Sequence, residues 1–206
     1  MKPIILHPTY FPSIETFVAI VSASSVVFEI CDNYQKQTYR NRCYIYAANG
    51  KLQLSVPVIY TQKNRQLYQD VQIANTYNWQ DIHFKSLESA YRTSPFYEYY
   101  IDDLKPLFTK QYDSILEFNL ACFEVICDAL QLDITINKTT EFKKNYTDNL
   151  DLRGLVNAKK DTAPQFDNYT QVFSPKHGYI NNLSILDLLF NEGPSALSYL
   201  EAQHAN

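Results

Sequence analysis

The densest chemistry in the sequence lies at Asn33-Tyr34-Gln35-Lys36-Gln37-Thr38-Tyr39-Arg40-Asn41-Arg42. It holds three cations, two tyrosines and several amides beside a single carboxylate, Asp32. In a chain of net charge −4 and pI near 5.5 this is a local positive island. Arginine clamps phosphate or carboxylate through paired bonds, and tyrosine adds a stacking face with a polar tip. If the chain enters a hairpin at Cys43, strand alternation sets Arg40 and Arg42 on one side, roughly 6–7 Å apart, with Asn41 facing the other way. With Lys36 nearby, that spacing suits a diphosphate. The same residues also read as a solvated loop leading into the hairpin.

Two histidines are candidates for acid–base work. His7 follows the first strand and precedes a helix N-terminus, the position where parallel α/β sheets gather ligands; it also reads as a strand-end residue bonding the backbone. His83 shares a helix face with Trp79, which favours a satisfied core histidine. The catalytic candidates are therefore His7, Asp32 and His83, with no role assigned to any. The four histidines, His7, His83, His177 and His204, form no H-x-x-x-H or H-E-x-x-H pair, so no metal is expected. No cofactor is expected either. The 4 glycines lie no closer than fifteen residues apart, which excludes glycine-rich phosphate loops, and no G-x-S-x-G elbow is present.

The elements that must position these residues are legible in outline. Lys2 to Leu6 is a short apolar strand, and His7 to Ser13 is a loop with two prolines. Ser13 caps a helix carrying Ile14, Phe17, Val18 and Val21, and Val26 to Ile30 is a second strand. Strand, helix and strand within thirty residues form a βαβ unit, which requires parallel pairing of Lys2–Leu6 with Ser25–Ile30. Asn49-Gly50 between Tyr44-Ile45-Tyr46 and Leu52 to Val56 signals a hairpin. Helices are expected over Trp79 to Tyr91, Tyr97 to Lys110 and Ser114 to Leu130, the last apolar nearly all round and therefore central. Further on, Ile134 to Ile136 is strand-like, Leu150 to Gly154 starts another element, and Asp161 to Asp167 is an exposed loop. Tyr169 to Phe173 alternates like a strand, and Ser184 caps a helix that Gly193 ends. The expected fold class is α/β: a mixed sheet opening with a parallel βαβ unit, a β-hairpin and a helical middle section, in one domain spanning 1–206.

Composition narrows the function. Apolar residues make 46% and charged residues 19% of the 206, which suits a packed core. No run of five like charges occurs and the net charge is negative, so nucleic acid is not an expected partner. The stretch from Ile14 to Ile30 is broken by polar residues and is no membrane span, and the opening residues lack the pattern of a signal peptide. The 4 cysteines, with no C-x-x-C pair, read as free thiols in a reducing compartment, so a cytoplasmic location is expected.

One resemblance runs through these residues. Pro8-x-Tyr10-Phe11-Pro12, the strand to Asp32, Lys36-x-Thr38-Tyr39-x-Asn41-Arg42 and Leu54-Ser55-Val56-Pro57-Val58 resemble the WbqC-like family. Trp79, His83, Tyr91, Pro95-Phe96 and Ser184 to Gly193 follow in a similar order, over about residues 5 to 200. The chain departs from the family at His7-Pro8, where Gln-Pro is common, at Ser13, where Trp is common, and at Asp32, where many members carry an acidic doublet. The resemblance implies a bacterial protein of O-antigen or capsule assembly, with acyl or aminoacyl transfer onto an amino-sugar nucleotide as one inference. It adds Tyr10 to the substrate-binding candidates Lys36, Tyr39, Arg40, Asn41 and Arg42. The leading expectation is a transferase acting on a sugar-nucleotide-like or other anionic small molecule. The alternative is a non-enzymatic accessory protein that binds a biosynthetic enzyme or glycan.

Overall fold

The computed structural model describes residues 2–61, 65–159 and 164–203. His204 and residues 161–163 of the expected exposed loop lie outside them. The chain opens with β1 (Ile4–Leu6), α1 (Ile14–Val21) and β2 (Val26–Phe28), and β1 and β2 pair in parallel with Ile4 opposite Val26. The Ser13 hydroxyl caps α1 by accepting from the Thr16 amide, 3.4 Å away. In the connecting loop Phe11 takes a φ of 39°, a conformation that a bulky residue rarely adopts. Two bonds hold it there: the Ser184 hydroxyl donates to Phe11 O and the Ile185 amide to Pro12 O.

The hairpin follows as β3 (Arg42–Ala47) and β4 (Gly50–Ser55). Its turn is Ala48-Asn49, and Gly50, at φ +98°, is already paired with Ala47. Neither central residue has positive φ, so the left-handed glycine after the turn makes the bulged form of hairpin. Short strands β5 (Val58–Ile59) and β6 (Gln72–Ile73) pair antiparallel beyond Pro57. Helices α2 (Trp79–Tyr91), α3 (Tyr97–Thr109) and α4 (Ile115–Leu130) form the middle section. The four-residue spacing of Trp79, His83, Leu87 and Tyr91 buries all four. Helix α4 buries nine residues, and its Phe123 meets Phe17 of α1 face to face and Phe28 of β2 edge-on.

Two further strands, β7 (Ile136–Lys138) and β8 (Leu150–Asp151), complete a four-stranded sheet in the order β7-β2-β1-β8, parallel at every step. The chain then runs through α5 (Ser174–His177), α6 (Ile185–Glu192) and α7 (Ala196–Ala202). The fold is mixed α/β, as its pattern required, with one correction. Tyr169 to Phe173 is not a strand. Its alternation is real, since Tyr169 and Gln171 are buried while Thr170 is exposed, but side chains rather than a partner strand satisfy it. The Tyr169 hydroxyl and the Gln171 amide both donate to the buried Asp187 carboxylate, and Gln171 Oε1 accepts the Ile180 amide.

Candidate functional site

Because all four strands of the main sheet run the same way, the residues that follow them emerge on one edge. His7 follows β1, Glu29 and Asp32 follow β2, Thr139 follows β7, and Asp151 and Arg153 stand at the end of β8. This edge borders a hollow of ≈ 480 Å³ lined by His7, Asp32, Arg40, Phe142, Asp151 and Arg153, among others. It is the carboxyl-end crevice where open α/β sheets bind ligands.

Arg40 is the unusual residue there, with no exposed surface. Its Nη2 donates to Asp32 Oδ2 at 3.0 Å and lies 3.0 Å from His7 Nε2. Its guanidinium stacks over Tyr68, 5.2 Å from the ring centre. Its Nε and Nη1 have no partner among the described residues. A buried cation with vacant donors is costly to keep, and burial lowers its affinity for the proton despite Asp32.

Backbone bonds fix this arginine in place. The Tyr10 amide donates to Tyr39 O and the Tyr39 amide to Val156 O, so the island is stitched to the loop after β1 and to the chain after β8. Asn119 of α4 donates to Arg40 O at 2.6 Å.

His7 is neutral. Burial first, and the neighbouring Arg40 second, push its pKa down to about 3. Its Nδ1 lies 3.3 Å from Glu29 O, and Arg40 Nη2 lies 3.2 Å from Nδ1 and 3.0 Å from Nε2, so the guanidinium sits over the ring and not in line with one nitrogen's lone pair. With the ring neutral, the 3.4 Å approach of Nε2 to Asp32 Oδ2 is not an ion pair. Beside this trio, the buried Glu29 carboxylate accepts from the Thr139 and Tyr146 hydroxyls and from the Cys31 amide. Arg153 pairs with Asp151, and that bonding holds the Asp151 carboxyl below its usual range. Arg153 also reaches the carbonyls of Lys143 and Lys144 and lies over the Tyr146 ring at 4.9 Å. It is fully engaged where Arg40 is not.

The remaining sequence candidates are distributed elsewhere. Tyr10 and His83 bond each other in the core, Tyr10 Oη to His83 Nδ1 at 2.9 Å, and Tyr10 has no exposed surface. Burial lowers the His83 pKa to about 4. The Tyr39 ring packs edge-on against Tyr44.

Lys36, Asn41 and Arg42 line a different hollow, of ≈ 410 Å³, beside the hairpin. Arg40 and Arg42 thus do not share a face, contrary to the alternation argument. The ladder begins at Arg42, and the chain before it turns, with the Asn41 amide donating to Thr38 O, so strand alternation never reaches Arg40. Sequence reasoning missed Glu29, Asp151 and Arg153 as site residues. The one available cue was their position at strand ends, and β8 is only two residues long. Among the described residues no group of three or more histidine, cysteine or acidic side chains is placed to hold a metal ion. No helix of the described residues is long and apolar enough to cross a membrane.

Comparison with known proteins agrees with this architecture of motifs. The sequence model of the WbqC-like protein family matches residues 7–165, and the chain belongs to that family. It is 23% identical over 225 residues to an uncharacterized protein of Mycobacterium tuberculosis, Rv1507c, with 97% of each chain covered. No solved structure matches.

Proposed function

We propose that this WbqC-like protein is a cytoplasmic transferase of bacterial surface-polysaccharide biosynthesis, and that it binds the phosphates of a sugar-nucleotide-like substrate in the hollow at the carboxyl edge of the sheet. The observation that carries the reading is Arg40: a guanidinium without exposed surface, lining that hollow, with Nε and Nη1 unpartnered among the described residues. Phosphate oxygens would pair with the vacant donors, each on its own edge of the guanidinium, and offset the buried charge. The half-exposed Phe142 ring at the same hollow offers a stacking face for a base or sugar.

His7 then has a chemical role. Arg40 Nη2 lies within 3.2 Å of both ring nitrogens, and burial together with that cation holds the ring's basicity down. A bound phosphate would offset the Arg40 charge and so raise the His7 pKa, letting the ring take a proton from an attacking hydroxyl or amine at Nε2, with Asp32 3.4 Å away to stabilise the imidazolium. The test is thermal unfolding with a panel of nucleoside-diphosphate sugars. A ligand at about 100 times its Kd adds about 2.7 kcal/mol of stability. Protection of the parent that is lost in Arg40→Lys supports the reading; no protection by any member, or equal protection of both proteins, refutes it.

A further inference from the structure

The hollow beside the hairpin carries its own unmet chemistry. Its lining includes Tyr34, Lys36, Asn41, Arg42 and Tyr60. Three of these present buried polar atoms with no partner among the described residues: the Tyr34 hydroxyl, Asn41 Oδ1 and Arg42 Nε. Tyr34 is only 3% exposed. Native proteins pair nearly all such atoms with protein, water or ligand, so three of them among the residues lining one hollow mark it as a place that would hold a polar ligand.

Each group has a definite polarity. Asn41 Nδ2 donates to Val56 O at 3.0 Å, which fixes the amide and leaves Oδ1 as an acceptor that needs a donor. Arg42 Nη1 is engaged with Gln53 Oε1, which leaves the side-on edge of the guanidinium, with Nε, for a planar anion. Lys36, 5.0 Å above the Tyr60 ring, adds a second positive charge. The Tyr34 hydroxyl can donate or accept. A bare anion would satisfy Arg42 and Lys36 but leave Asn41 Oδ1 empty.

We propose that this hollow is a second ligand site, for a small carboxylate that carries a hydroxyl or amino group on the adjacent carbon. The carboxylate lies against the side-on edge of Arg42 near Lys36 and accepts from the Tyr34 hydroxyl, and the adjacent O–H or N–H donates to Asn41 Oδ1. The site stands independently of the phosphate reading of the Arg40 hollow, since it uses none of the residues lining that crevice.

Calorimetric titration of the full chain with L-lactate, L-serine, propionate and inorganic phosphate tests it. Lactate or serine should bind at least about tenfold more tightly than propionate, which lacks the donor, and than phosphate, which lacks the plane. Tyr34→Phe removes a hydroxyl with no partner among the described residues, so it should weaken lactate or serine binding about fivefold or more while leaving the melting temperature unchanged or raised. Arg42→Lys keeps the charge without the fork and should weaken binding about tenfold. The proposal is overturned if neither lactate nor serine binds better than propionate, or if phosphate binds best. It is equally overturned if both variants bind like the parent, or if Tyr34→Phe lowers the melting temperature with affinity intact.

Discussion

Replacing Asp187 with Asn should change stability by an amount whose sign depends on pH. Asp187 has no exposed surface, and its carboxylate accepts from the Tyr91 and Tyr169 hydroxyls and from Gln171 Nε2. Burial outweighs those three donors and raises its pKa from 3.8 to about 6. A carboxyl whose folded pKa is raised binds its proton more tightly in the native state. Its contribution is therefore fully present below about pH 4 and is lost as the pH climbs to about 6. At about 1.36 kcal/mol per pH unit the loss is about 3 kcal/mol.

Asparagine removes that loss but brings a different cost. Its oxygen can keep the Tyr169 and Gln171 bonds, while its NH2 then faces the Tyr91 hydroxyl, which already accepts from the Tyr46 amide. The displaced Tyr91 O–H is left unpaired in the core, which costs about 1–3 kcal/mol, whereas the protonated carboxyl of the parent still offers its hydroxyl oxygen as an acceptor. Asp187→Asn should therefore be less stable than the parent by about 1–3 kcal/mol at pH 4, and should approach or exceed it at pH 7. Urea unfolding of both proteins at pH 4, 5, 6 and 7 measures the difference, and the subtraction cancels every other titrating group. A parent-minus-variant gap that stays constant or widens with rising pH would refute the reasoning.

Below neutrality the parent should lose stability overall. Burial holds His7 down to about 3 and His83 to about 4, so the unfolded chain binds protons there that the native state refuses, and the urea midpoint should fall between pH 6.5 and pH 4; a midpoint that rises over that range contradicts neutral buried imidazoles. Gly193→Ala should destabilise the fold by more than about 2 kcal/mol, because a Cβ there would sit 2.4 Å from the Phe96 ring at a φ of +53°; a melting temperature within a degree of the parent's would count against that packing.

Local pattern determined much of this protein. The βαβ opening follows from an apolar run, a capped amphipathic helix and a second β-branched run within thirty residues, and Ser13 caps as its side chain dictates. The hairpin follows from a glycine whose backbone tolerates φ +98°. His7 at a strand end was visible for the same local reason, as was the buried face of α2. What tertiary structure alone decided is which distant residues meet. Asp151 and Arg153 join His7 and Arg40 around one hollow because β8 pairs beside β1 across some 145 residues, through two residue pairs that no local periodicity encodes, while Glu29 reaches His7 through the β1–β2 pairing. The fate of Arg40 and Arg42 was decided the same way. They are two positions apart and equal in charge, yet a turn bonded to the chain after β8 sends one guanidinium beneath the sheet's carboxyl edge and leaves the other on the hairpin, because backbone hydrogen bonds made at long range override strand alternation.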